Sequence, residues 1–517
     1  MKRYKQHILL ILAFLPLSVI AQNRVVIAGG NAESAKDICK DCILLTSGNG
    51  KIVTFKHKGS TIKCDRAIYN KASEKIDATG NVRIYRKDSP YPLRGDRLYY
   101  NGKTSLAELR ENVYYKDDQV SFNTDNFDYN TDTEEGYYFN GGVVKDSVNT
   151  LISDKGYIFK NDDILVKDSV VITTPDYLVL ADSIKYNSYK ETVYLIAPTT
   201  MYSDSSTLYA EGGYYDTKKA YAYLTDNAEM RQGSYSLSGD VITYKEKEKI
   251  GEGFGHMVIN DTAQMLMLKG HYGFYDGNTE YAFMTDSAQA LLYSGIDTLF
   301  AHADTLVNYK DTADIQYFAA YPNVRFFRFD IQGKCDSLVY SMADSIIHMY
   351  YDPMMWSVWN QMSGEEILIY NKNNHVDHIE MHNDAFIVSR EDSLYFNQVR
   401  GKTITGYIRG NDLHKIEVEG NAESIYYFRE DLALVGFNQT ESSYLTIFLK
   451  EGAVQKLSMR PETNGMFYSM ESKTYEEQFL RDFQWRSDLR PVSPMDIFRR
   501  TPRESSTKKR RQAPRRK

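Results

Sequence analysis

Carboxylates return along this chain with a regularity that first suggests acid–base chemistry. Between Asp65 and Glu423 an acidic residue, a small or apolar residue two on, and usually a tyrosine four on recur thirteen times, with His271 and Thr403 in the acid's place in two weaker copies. Asp65, Asp96, Asp125, Asp182 and Asp240 head clean copies, and Tyr100 is the tyrosine of one of them. A glycoside hydrolase needs one pair of carboxylates at a set separation. Acids that return with every repeat are more simply strand-end or turn residues. A second cluster, His375, Asp377, His378, Glu380 and His382, places His378, Glu380 and His382 on one face of a strand, a spacing a metal could use. No fourth ligand is evident there, so no metal and no cofactor is assigned. Cys39 and Cys42 form a lone CxxC without the βαβ context or second ligand pair that redox or zinc chemistry would need. In an oxidising compartment a disulfide among Cys39, Cys42, Cys64 and Cys335 is expected, with its pairing open. No Ser-His-Asp spacing, P-loop or dinucleotide fingerprint is present. The sequence therefore reads as non-enzymatic.

The elements that carry these residues are strands. From the first anchor acid to the eleventh the gaps are 31, 29, 29, 28, 29, 29, 31, 33, 32 and 30 residues, after which gaps of 37 and 20 break step. A period of this size marks a stacked repeat architecture. Positions 0, +2 and +4 share one face of a β-strand. The 42 tyrosines and only 12 prolines in 517 residues fit an all-β chain. One unit shows the plan. Ala78-Thr79-Gly80-Asn81 turns, Val82 to Tyr85 alternates, and Leu93-Arg94-Gly95-Asp96 leads into a strand that ends at Tyr100. Strands with one apolar face must stack to bury it, which produces a long interior. Val82, Ile84, Leu98, Val113, Ile184, Val193, Leu195 and Ile242 are the candidate lining of that interior.

The ends differ from the body. Lys2, Arg3 and Lys5, an apolar run from Ile8 to Ile20, and Val19-Ile20-Ala21 read as a cleaved secretion signal over residues 1–21. From Arg499 onward there are ten Lys/Arg against one acid, Glu504. Against the −7 of the whole chain, the +9 of that tail and the +3 of the signal leave −19 on residues 22–498. An acidic body argues against nucleic acid, while the basic tail suits an anionic membrane surface. The expected organisation is a repeat array over 22–365, a continuing or second β segment over 366–474, and a short helix (Tyr475–Asp482) with a basic disordered tail over 475–517.

The runs Ala78-Thr79-Gly80-Asn81-Val82-Arg83-Ile84 and Leu93-Arg94-Gly95-Asp96-Arg97-Leu98-Tyr99-Tyr100 resemble the repeat of the OstA-like family. That family includes the periplasmic lipopolysaccharide-transport protein LptA and the amino-terminal domain of the translocon LptD. Gly420-Asn421-Ala422-Glu423 is similar. The resemblance implies an elongated β-jellyroll, or β-taco, of ~30-residue repeats whose interior shields the acyl chains of lipid A. It also implies a periplasmic, outer-membrane-associated place. Other lipopolysaccharide-transport proteins, including an outer-membrane translocon, would be its partners through end-to-end strand pairing. The chain is longer than the single-jellyroll bridge and lacks the run of amphipathic strands a transmembrane barrel needs. The alternatives are a secreted β-solenoid that binds or cleaves polysaccharide, and a structural envelope spacer.

Overall fold

In the computed structural model the described residues are 24–500, leaving aside 88, 119, 161–162, 176, 188–189, 264, 295–296, 373–374, 410–411, 432, 451–452 and 462. The secretion signal expected over 1–21 and the tail beyond Arg500 lie outside them. The described chain is all-β, with only single 3-10 turns near its end. It forms two compact units, residues 1–204 and 205–517, and the strand pairings described within each are antiparallel.

In the first unit, each long strand crosses a corner. Lys75–Tyr85 pairs through Ile76 and Ala78 with Arg66–Asn70, and through Ile84 with Ser60–Cys64, a different strand. The two halves thus belong to two walls, and their inward faces meet. Leu45, Ile76, Leu98 and Leu109 from one wall pack with Phe55, Ile62, Val82 and Ile84 from the other in a single cluster. Full burial of a Leu or Ile side chain stabilises by roughly 1.5–3 kcal/mol relative to exposure, so this row of large aliphatics is what holds the walls shut.

Each corner is a two-residue bulge in left-handed backbone. Gly80 and Asn81 have φ of 77° and 45°, and the pairing with Leu93–Asn101 slips between Thr79 and Val82 so that Asp96 stands opposite them. The same pairing of left-handed residues recurs at Glu111–Asn112, Asp168–Ser169, Asp226–Asn227, Gly255–His256 and Gly420–Asn421. Asn, Asp and Gly tolerate this region because their side chains are short or absent, and a bulge re-aims the strand around the corner.

The second unit repeats the plan with longer strands toward its end, among them His375–Arg390, Asp412–Glu430 and Ala433–Lys450. Its interior differs in kind. Met257, Met284, Met349, Met355 and Met381 are buried there among alanines. Several methionines lie over glycines: a Cβ at Gly253 would stand 2.2 Å from the Met257 methyl, and one at Gly270 2.6 Å from Met284 Cγ.

After Ser469 the chain leaves the sheet. The helix expected over Tyr475–Asp482 is a single 3-10 turn, Glu476–Gln478, followed by extended Phe479. Residues 475–500 are not a free tail but a strap laid on the outer face of one wall of the second unit. The reason is visible in its bonds, because β-strand side chains take the backbone groups a helix would have used.

Candidate functional site

The recurring acids sit at the corners. Asp65 accepts a hydrogen bond from Asn81 Nδ2 at 2.7 Å, Asp96 from Asn112 Nδ2 at 2.6 Å, and Glu211 from Asn227 Nδ2 at 3.1 Å. His256 Nδ1 stands 2.8 Å from Asp240. In all four the partner is sixteen residues on, so the acidic phrase and the Gly-Asn turn are one device, an acid clasped to the next bulge. Asp125 accepts from the Asn112 backbone N–H at 3.3 Å, and Asp182 accepts from the hydroxyl of Ser183 at 3.2 Å. Within each unit these carboxylates stand at the corners, an arrangement that bends strands.

The phrase's tyrosines stand at the free tips of the walls, and the two units use them differently. In the first unit Tyr69, Tyr100 and Tyr129 are buried and close the interior. Tyr100 OH bonds His57 Nδ1 at 2.6 Å and Thr131 Oγ1 at 3.2 Å, and burial pushes its phenol above the ordinary range. In the second unit Tyr244 and Tyr275 remain 39% and 48% exposed. They belong to a cross-strand row, Tyr215, Ala222, Tyr244, Gly251, Tyr275 and Ala282, in which every ring neighbours a small residue. One step deeper runs Gly213, Leu224, Ile242, Gly253, Gly273 and Met284. The candidate site is thus a rim of part-exposed tyrosines above a deeper row of glycine, leucine, isoleucine and methionine. Rings with an apolar body and a wet hydroxyl suit such a rim.

Seven of the eight residues read as interior lining are buried: Val82, Ile84, Leu98, Val113, Ile184, Leu195 and Ile242. Val193 is partly buried against the same cluster as the first five. Leu98 is 0% exposed, so the interior around it is filled by the protein's own side chains. The methionine floor and the exposed tyrosine rim were not read from the sequence. Their signal was present in Gly251, Gly253, Gly270 and Gly273, which break the alternation of large apolar residues at inward positions.

The histidine cluster lies on the outer face. His382 Nε2 is 3.0 Å and His378 Nε2 3.6 Å from Glu380, and Tyr370 stacks on His378 at 4.1 Å while donating to Glu380 at 3.2 Å. The side chain of His375 is outside the described residues. Among the described residues no group of three or more His, Cys, Asp or Glu is arranged to hold a metal ion. Cys39 and Cys42 form a disulfide, while Cys64 and Cys335 are buried thiols.

The strap is held by a row of glutamines on the outer face. Gln332, Trp356, Gln361, Val388, Gln398, Ile425 and Gln439 are cross-strand neighbours in that order. Gln398 donates to Gln478 O at 3.0 Å and accepts from Leu480 N at 2.8 Å. Gln361 donates to Gln484 O at 2.7 Å and accepts from Arg486 N at 2.8 Å. Arg490 Nε reaches Gln332 at 2.8 Å, and Lys473 Nζ reaches Gln439 at 2.8 Å. Leu480, Leu489 and Ile497 are buried beneath the strap. The backbone groups of an extended segment are thereby satisfied without a strand partner.

Edges remain at two places. Val26–Gly29 and Asn31–Ser34 each have one described partner, Val53–His57 and Cys42–Thr46 respectively. Ala453–Arg460 and Asn464–Ser469 each pair with Ala433–Lys450.

Fold and interior define the class, a repeat-built, two-walled β-stack with an apolar inside and polar corners. Residues 40–182 and 219–324 match the OstA-like protein family, and residues 146–250 match the LptA/(LptD N-terminal domain) LPS transport protein family. These segments run without a break from 40 to 324, more than half of the chain, and the chain belongs to the OstA-like family of lipopolysaccharide-transport proteins. Among solved structures, the chain is similar to LptH from Pseudomonas aeruginosa, described as the LptA homologous periplasmic component of the lipopolysaccharide transport device. The two share 13% identity over 26% of this chain and 93% of that one, with a TM-score of 0.21. No curated protein matches the chain.

Proposed function

We propose that this protein is a non-enzymatic, periplasmic lipopolysaccharide-binding component of an outer-membrane assembly route. Its apolar interior shields acyl chains in transit. The observation that carries this reading is the part-exposed tyrosine rim of the second unit and the methionine-and-glycine row beneath it. The Tyr215, Tyr244 and Tyr275 rim opens on glycines, and the methionines over them are unbranched and polarizable, able to repack around a hydrocarbon chain. Burial of apolar area at about 25 cal/mol per Å² provides affinity without directional bonds, so a chain can slide. The lining residues Val82, Ile84, Leu98, Val113, Ile184, Val193, Leu195 and Ile242 would meet lipid only where the walls part. The unpaired edges of Val26–Ser34 and of Ala453–Ser469 suit end-to-end strand addition to other transport proteins, an outer-membrane translocon included. The basic tail suits contact with an anionic membrane surface.

Site-specific photo-crosslinking in cells tests the conduit. Probes at Leu195, Tyr244 and Met284 should capture lipopolysaccharide. If none does so in protein that remains folded, the interior is only a core and the spacer reading replaces this one.

A further inference from the structure

The strap ends in a turn that displays apolar side chains instead of burying them. Val492 and Met495 are 73% and 74% exposed, each directly preceded by a proline, Pro491 and Pro494. The turn is tied down on both sides. Asp496 accepts from Val492 N–H at 3.0 Å, and its own N–H donates to Ser493 Oγ at 3.2 Å. Beyond it, Ile497 is fully buried, Phe498 packs on His302 with ring centroids 4.6 Å apart, and Arg500 reaches Asp304 at 3.4 Å. Arg499 donates to Asp488 O at 2.9 Å and Arg490 O at 3.0 Å. Single exposed apolar residues are ordinary on protein surfaces. Here two share one rigid turn, and the chain runs from it directly into residues 499–517, with ten Lys/Arg and one acid.

We infer that the Val492–Met495 turn is an interfacial anchor that inserts into an anionic lipid surface, working together with the basic segment that follows it. Reversible membrane attachment takes two signals, and a short apolar insertion beside a polybasic run is one such pair. Lys and Arg near an anionic leaflet bring the chain to the surface, and the apolar pair gives it depth. The glutamine row then has a purpose beyond stability. It holds the strap so that the anchor emerges beside Asp297–His302 and Val324–Phe327, well back from the last strands of the second unit. The body, at −19, is repelled by the same surface, so only this corner of the unit approaches it. The inference rests on the membrane contact proposed above for the tail and adds to it an apolar component.

Flotation of the mature chain with phosphatidylcholine vesicles, with and without one third phosphatidylglycerol, tests it. Three proteins are compared: the unaltered chain, the double variant Val492→Ser/Met495→Ser, and a chain ending at Arg500. The double variant should bind anionic vesicles roughly tenfold more weakly with an unchanged salt dependence, as expected for losing two partly inserted apolar side chains. The shortened chain should lose nearly all binding. A fluorophore on Met495→Cys should shift to the blue on anionic vesicles. Equal binding by the double variant and the unaltered chain, or no blue shift on bound protein, overturns the anchor and leaves the tail reading standing if the shortened chain is still impaired. If shortening the chain changes nothing, or nothing binds, both fail. Because both substituted side chains are exposed, thermal unfolding of the double variant should match that of the parent.

Discussion

Replacing Gln398 tests the strap most directly. Its side chain is fully buried, accepts from Leu480 N–H at 2.8 Å, and donates to Gln478 O at 3.0 Å. Gln398→Ala removes both bonds at once. An unmade buried N–H costs about 1–3 kcal/mol, and a lost neutral hydrogen bond about 0.5–1.5 kcal/mol, so roughly 3 kcal/mol is at stake. If the strap detaches, water satisfies those groups, and the loss appears as local opening instead of global unfolding. At 1.4 kcal/mol per factor of ten, the Leu480 amide should exchange with solvent about a hundredfold faster. Native-state hydrogen exchange on the full chain measures this. The Arg486 amide, held separately by Gln361, should change less. Gln398→Met, which keeps the volume and loses both bonds, should resemble Gln398→Ala and not the parent. Unchanged protection at Leu480 would refute the idea that the glutamine row holds the strap.

Gly80→Ala should lower stability by about 2 kcal/mol in urea unfolding, because φ is +77° and a Cβ would stand 2.7 Å from Asp65 Oδ2. Asp65→Ala in the same chain should recover the steric part of that loss. His302 is buried, and burial holds its pKa below the ordinary value, with Asp304, Arg325 and Arg500 around it. Its contribution to stability is full above about pH 6.5 and is lost as pH falls toward the depressed folded value, so acid should loosen the Phe498 end of the strap. In His302→Phe that pH dependence should vanish from the exchange of residues 496–500. The Cys64 thiol is pushed up to about 12 by burial, so it should resist a thiol reagent at pH 8 in the folded protein and react only on unfolding. Tyr244→Ser with Tyr275→Ser should weaken lipopolysaccharide binding roughly tenfold while leaving unfolding within about 1 kcal/mol of the parent, since both rings are more than a third exposed.

Periodicity made the architecture legible. An acid–apolar–tyrosine phrase at a ~30-residue beat can come from little besides stacked strands, and the Gly-Asn turn carried the family resemblance. The sense of the acids was also readable in part, since a feature present at every rung is a poor active site. What stayed hidden was pairing at a distance. Nothing local to Asp96 announces Asn112 as its partner, because the offset of sixteen, which lengthens to nineteen at Asp304 and Asn323, appears only when both wall halves are laid side by side. The strap was misread for a related reason. Tyr475 to Asp482 has helical composition, but its backbone groups are claimed by Gln398 and its Gln478 by Tyr427. Tertiary bonds override local preference there. The methionine floor was obscured because Met and Gly at inward positions look like weak copies of the repeat.

Fixing each repeat at its corner leaves the far tips of the walls free to vary. Distances between successive copies of the phrase run from 20 to 37 residues; part of the variation lies in hairpin ends such as residues 392–394, and part in the clasp, where Asn323 holds Asp304 from nineteen residues on. A fold hinged in this way can change its depth without changing its pitch. Lengthening a hairpin deepens the interior at one rung and leaves its neighbours in register. The long strands from His375 onward are such a deepening, so the depth of the interior is set rung by rung, by loop length, as a tailor lets out a seam.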